Sequence, residues 1–153
     1  MKLKYVSKIN DVIGNEYLAI KYNSEELSFF VNKWISLFDL KDKSILENVC
    51  DMIANRHRRD GEEYHMTIIN VMQYATLNNP VIFPKIDDIE YLGIGTASKN
   101  NNVTYFIVAS SKQLDNFREE NGLEKIDLHI TVGFKTKDVF GVDKSENSLI
   151  LKF

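Results

Sequence analysis

Only 3 histidines occur in this chain, and two of them stand in matching surroundings, HMTIIN at residues 65–70 and HITVGF at 129–134. Residues i and i+2 share a face of an extended strand, so His65 points with Thr67, and His129 points with Thr131. In the second copy Leu128, Ile130, Val132 and Phe134 make the opposite face apolar, which assigns that side to the core and leaves His129, Thr131 and Gly133 for a ligand. In the first copy Met66 and Ile68 pack similarly. There Ile69 and Val71 continue on the histidine's face and blur the partition.

Two imidazoles and two hydroxyls converging on one space suit phosphodiester chemistry. Histidine's ordinary pKa is near 6.5, so one ring can accept a proton from water or a ribose hydroxyl while the other, charged, donates one to the leaving oxygen. Each threonine can donate a hydrogen bond to a non-bridging phosphate oxygen as negative charge builds there. A lone His-x-Thr in a strand is usually structural. A second copy, using two of so few histidines, favours a site. A module that only binds nucleotides in the same groove is the alternative, although binding alone does not require two titratable groups. A domain in which the repeats merely pack is the third reading.

Other chemistries lack their residues. No His-x-Glu or Cys-x-x-Cys pair offers zinc spacing, and there is no G-x-S-x-G elbow or phosphate-binding P-loop. Gly93 and Gly95 in LGIGT lack the third glycine and following helix of a dinucleotide site, and they read as a bulge or a close backbone approach. No metal or cofactor is expected.

The elements that must position the motifs are readable from periodicity. EYLAIKY (16–22) is a strand; Leu27, Phe30, Val31, Trp34, Leu37 and Phe38 then recur at helical spacing behind an Asn23/Glu26 capping box. A second helix runs through Ile45, Leu46, Val49, Cys50, Met52 and Ile53 to the polar run NRHRRDG (55–61), with Cys50 expected in its apolar stripe. Tyr64 to Tyr74 reads as the first motif strand, followed by a loop over ATLNNPVIFPKIDD. EYLGIGTAS and VTYFIVAS form a hairpin across KNNN, SKQLDNFREENG a short helix, IDLHITVGF the second motif strand, and SLILKF a closing strand. The order β-α-α-β-β-β-α-β-β implies an α+β fold of mostly antiparallel sheets with helices on the outer faces, two-lobed because a helix followed by a His-x-Thr strand occurs twice.

With 153 residues, 44% hydrophobic and 27% charged, the chain reads as one globular domain over residues 1–153. No signal-peptide core or membrane span is evident, so a cytoplasmic location is expected. A net charge of −3 argues against sequence-independent binding of long nucleic acid but leaves a small nucleotide or an RNA end as substrate. Of the secondary candidates, NRHRRDG reads as a solvated helix end before it reads as a phosphate guide. Lys135, just beyond the second motif, is a candidate phosphate contact, and Phe140, in the polar loop 136–147, and Tyr74 are candidate base contacts.

Paired His-x-Thr strands, each followed by apolar residues, in a chain of this size resemble the 2H phosphoesterase superfamily. The continuation HITVGFKTKDVFGV is similar to the 2H-like domain of Swiss-army-knife RNA repair-like proteins. The resemblance implies a bilobal, pseudo-twofold α+β fold with a metal-independent site between the lobes. It implies His65 and His129 as acid and base and Thr67 and Thr131 as phosphate binders. The substrates it implies are 2',3'-cyclic phosphates, 2',5'-linked nucleotides or cyclic oligonucleotides. No early Arg or Tyr matches a family contact, which leaves substrate choice open.

Overall fold

The computed structural model describes residues 3–153. In chain order the elements are β1 (Lys4–Asn10), β2 (Glu16–Tyr22), α1 (Ser24–Ile35), α2 (Lys43–Asp60), β3 (Tyr64–Ile69), α3 (Val71–Ala75), β4 (Lys85–Ile86), β5 (Glu90–Lys99), β6 (Asn102–Ser110), α4 (Lys112–Glu120), β7 (Leu128–Lys135) and β8 (Leu149–Lys152). The strands form two antiparallel four-stranded sheets, in the orders β3-β2-β1-β4 and β7-β6-β5-β8. The two orders are the same arrangement used twice. Each lobe places its motif strand at one edge and its shortest strand at the other, and the bilobal, pseudo-twofold α+β architecture follows.

Local chemistry explains the boundaries. The Asn23 side chain accepts from the Glu26 amide at 2.8 Å while Glu26 reaches back to the Asn23 amide, the reciprocal cap that opens α1. Asp42 caps α2, and Ser111 caps α4. The β5–β6 hairpin turns through Asn100 and Asn101, both at positive φ, where asparagine is tolerated and the turn matches strand twist.

Several expectations need correction. Lys4–Asn10 is a strand, β1, central in its sheet, and the sequence reading left it unassigned. The first motif strand ends at Ile69 instead of running to Tyr74, because Asn70 and Gln73 form a second capping box that starts α3. Cys50 is exposed; α2 turns Val49 and Met52 inward instead.

The helix α2 lies along β7, and the fully buried Trp34 of α1 sits over Tyr105 with ring centroids 5.6 Å apart. At Gly133 a Cβ atom would lie 2.6 Å from the Trp34 ring and 3.3 Å from Met52, so this residue faces the helices and not the ligand side, contrary to simple alternation. The cause is a register shift between Tyr105 and Phe106: their β7 partners are Gly133 and Thr131, leaving Val132 as an extra residue.

Gly133→Ala is therefore expected to lower stability by about 1–3 kcal/mol, the scale of overpacking a filled core, measured by urea unfolding. Unchanged stability would return Gly133 to the ligand face.

Candidate active site

The first motif strand carries the same irregularity. Partners of β3 on β2 step from Thr67 opposite Ala19 to Ile69 opposite Leu18, with Ile68 inserted. The extra residue again follows the threonine, so His and Thr share the groove face in both strands while Ile69, fully buried, turns back into the core. This resolves the mixed face expected of the first copy. Buried Arg118 of α4 donates from Nη1 to the Ile68 carbonyl at 2.7 Å and from Nε to the Glu124 carbonyl at 2.7 Å, supporting the inserted residue. Arg56 of α2 similarly donates to the Gly61 and Glu63 carbonyls, each at 3.1 Å, ahead of β3.

Where the two motif strands meet, a groove of about 490 Å³ opens, and His65, Thr67, His129 and Thr131 all line it. The His129 ring lies with Nδ1 2.8 Å from the Asp127 carbonyl oxygen, so Nδ1–H donates there and Nε2 keeps its lone pair. Phe106 meets this ring edge-on at 5.6 Å. Burial, followed by the charge of Lys144, lowers the His129 pKa to about 4. His65 is held differently: its Nδ1 is 4.0 Å from Asp60 Oδ2, and Tyr17 meets its ring at 5.8 Å. Burial lowers its pKa too, but Asp60 opposes the shift.

A charged network joins the lobes below the histidines. Arg59 donates to both carboxylate oxygens of Asp60 at 2.8 Å and also to Asp138. Asp138 further lies 3.6 Å from Lys144 Nζ and accepts from the Thr131 hydroxyl at 3.4 Å. Burial favours a neutral Asp138, but Lys144 and Arg59 outweigh it and hold the carboxyl below its usual range. Asp138 is thus the anionic centre of a buried cluster that connects α2 to the segment after β7.

Phe140 lines the groove and is 70% exposed. Tyr74 and Lys135 are not brought there: Tyr74 packs against the core from α3, and Lys135 is exposed at the end of β7 opposite Val103. Sequence reasoning missed Tyr17, Lys21 and Asp138, which line the groove, and Lys144 behind it, and it took Arg59 and Asp60, which also line the groove, for part of a solvated helix end. The available signal was the i, i+3 spacing of Arg56 and Arg59 within NRHRRDG. One helical face turns these two inward while His57 and Arg58 remain exposed. Among the described residues, no group of three or more His, Cys, Asp or Glu side chains is placed to hold a metal ion.

Two lobes of like topology, each presenting a His-x-Thr pair to a common groove, define a two-histidine phosphoesterase-like architecture. The family described as the Swiss Army Knife, 2H phosphoesterase domain matches residues 32–140, spanning both motifs, and the chain belongs to it. Neither a curated protein nor a solved structure matches the chain.

In the free protein His129 is expected to remain neutral, protonated on Nδ1, down to about pH 4. Long-range ¹H–¹⁵N correlation across a pH titration reads both the tautomer and the midpoint. A midpoint near 6.5, histidine's ordinary value, would contradict the burial argument.

Proposed function

We propose that this domain hydrolyses a phosphodiester of cyclic or unusual linkage in a nucleotide, a 2',3'-cyclic phosphate, a 2',5' bond or a cyclic oligonucleotide, without a metal ion. The observation that carries the reading is the meeting of both His-x-Thr pairs in one groove. The corresponding biological settings are RNA-end processing and nucleotide signalling.

The environments of the rings divide the roles. His129 is held neutral beside Phe106 and Lys144, with its Nδ1 proton committed to the Asp127 carbonyl, so Nε2 is the base that takes a proton from the attacking water. His65 has Asp60 at its Nδ1, a carboxylate that stabilises the imidazolium, so its Nε2–H is the acid. Water oxygen bonds to phosphorus, the bond from phosphorus to the ribose oxygen breaks, and the freed oxygen takes the His65 proton. Thr67 and Thr131 donate to the non-bridging oxygens. For Thr131 this means exchanging its long contact with Asp138 for one with phosphate.

His65→Ala and His129→Ala should each reduce turnover by about 100-fold or more, the contribution of a positioned acid or base. The assay uses 2',3'-cyclic nucleotides, 2',5'-oligoadenylates and cyclic di- and trinucleotides in EDTA, with products separated by chromatography. A fully active variant removes its histidine from the mechanism, and activity lost on chelation and restored by metal overturns metal independence.

The pH profile has a definite direction. The base must be deprotonated, so kcat/KM rises as pH climbs through the His129 value of about 4. The acid must be protonated, so kcat/KM falls as pH climbs through the His65 value, which burial places below its usual 6.5. A bell with its optimum on the acid side of 6.5 is expected, from initial rates at subsaturating substrate. An optimum above pH 7 would reverse or remove these assignments.

A further inference from the structure

The two lobes match in topology, but their groove-facing surfaces do not. In the second lobe the segment between β7 and β8 folds back over the sheet: Val139 and Lys144 are buried, and Lys144 lies 5.6 Å above the fully buried Phe106 ring. A Cβ on Gly95 of this sheet would meet Phe106 and Ser148, each at 2.6 Å, which shows how completely that surface is filled. On the corresponding surface of the first lobe Ala19 is covered, but Tyr5, Lys21 and Lys85 are exposed.

Register places a row of side chains across that surface. His65 of β3 is opposite Lys21 of β2. Val6 of β1 is opposite Ile20, and one step further along the same antiparallel register puts Tyr5 beside Lys21. Tyr5 in turn is opposite Lys85 of β4, whose Nζ lies 5.9 Å from the Tyr5 ring centroid. Alternation confirms the side: Ile9 of β1 lines the groove while Val6 is buried in the core, so Tyr5, Ser7 and Ile9 share the groove face. At a strand spacing of about 4.8 Å, the row His65–Lys21–Tyr5–Lys85 reaches roughly 14 Å from the groove.

Its charge is the reverse of the chain's. Lys21 and Lys85 are exposed and have no carboxylate partner among the described residues, whereas Arg59 and Lys144 are committed to Asp60 and Asp138. Tyr5 between them is 55% exposed, a large ring face left to solvent on the surface of an otherwise well-packed sheet. Cations flanking an exposed ring fit a chain of alternating phosphates and bases. Lys21 and Tyr5 come from strands outside the 32–140 span shared with the family.

Resting on the two-histidine reading above, we propose that Lys21, Tyr5 and Lys85 bind the part of the substrate that extends beyond the scissile phosphate, and that this substrate is a short single-stranded oligonucleotide. The reacting phosphate occupies the groove, a neighbouring base stacks on Tyr5, and outlying phosphates meet Lys21 and Lys85. Because the second lobe's surface is filled, the chain leaves the groove over the first lobe only. Such a surface holds a few nucleotides, which agrees with the net charge of −3 in excluding long tracts.

The test separates binding from chemistry by using the 153-residue chain with His65→Ala and His129→Ala. Fluorescence anisotropy follows a 5'-labelled tetraadenylate RNA, with unlabelled adenosine 2',3'-cyclic phosphate as a competitor. The tetramer is expected to bind about tenfold or more tighter than the mononucleotide. Adding Tyr5→Ala and Lys85→Glu should remove that advantage, and Lys85→Ala alone should reduce the slope of log affinity against log salt by about 0.7, one phosphate contact on a single strand. Tyr5 and Lys85 are exposed, and an unchanged thermal midpoint verifies that the variants fold. Equal affinity for mononucleotide and tetramer, undiminished binding by the row variants, or equal binding of a duplex of the same length would each overturn the proposal. Absence of turnover by wild type, with the length dependence intact, would instead sink the catalytic reading alone.

Discussion

Each motif strand must present two polar side chains to the groove and then turn the second residue after the threonine, Ile69 or Gly133, back to the core. A regular strand cannot do both, because alternation keeps every second residue on the histidine's face. The chain inserts one residue after each threonine, Ile68 in β3 and Val132 in β7. Ile69 is thereby buried, and Gly133 meets Trp34. The inserted Ile68 leaves a carbonyl to satisfy, and Arg118 of the neighbouring helix α4 donates to it; further along β7, Asn55 of α2 donates to the Phe134 carbonyl at 2.9 Å. Helix placement, strand register and histidine orientation thus depend on the same two bulges.

The backbone duplication leaves the side chains free to diverge. Opposite His65 on the neighbouring strand stands Lys21, exposed, whereas opposite His129 stands Val108, buried. The threonines are likewise opposite Ala19 and Phe106. One half-site is consequently open and bordered by a carboxylate, and the other is filled by an aromatic ring and approached by an ammonium group. A symmetric pair of imidazoles would have no reason to divide acid from base. In the assignment proposed above, unequal solvation and unequal neighbouring charge supply that reason.

The His-x-Thr repeat, the capped helices and the Asn-rich hairpin were legible because each depends on residues close together in the chain. The β1 strand was obscured because KYVSKIN carries lysines on the same face as Val6. Lys4 lies 4.3 Å from the Tyr22 ring centroid and pairs with Glu26 at 2.7 Å, so a position that reads as solvent-facing is largely covered. Tyr64–Tyr74 looked continuous because the apolar pattern does not register Asn70 as a helix cap. Arg59 and Asp138 meet although they stand 79 positions apart, and no local pattern announces such a pair. Their partnership follows from α2 lying along β7, a tertiary fact.

The same network sets the terms on which the groove receives an anion. Around the two rings Lys21, Arg59 and Lys144 are opposed by Asp11, Asp60, Glu63 and Asp138, so with both histidines neutral the fixed charge is not positive. Arg59, which in an open site would grip phosphate, is already held by two carboxylates. An arriving phosphate therefore gains most by drawing a proton onto an imidazole, and His65, with Asp60 beside it, is the ring where that proton is best supported. Reciprocity follows from linkage: if phosphate raises the proton affinity of His65, protonation of His65 raises the affinity for phosphate by the same factor. On the proposed assignment, binding the substrate and loading the acid are then one coupled event, and the carboxylates, which weaken simple anion capture, are what make the groove depend on a charged histidine.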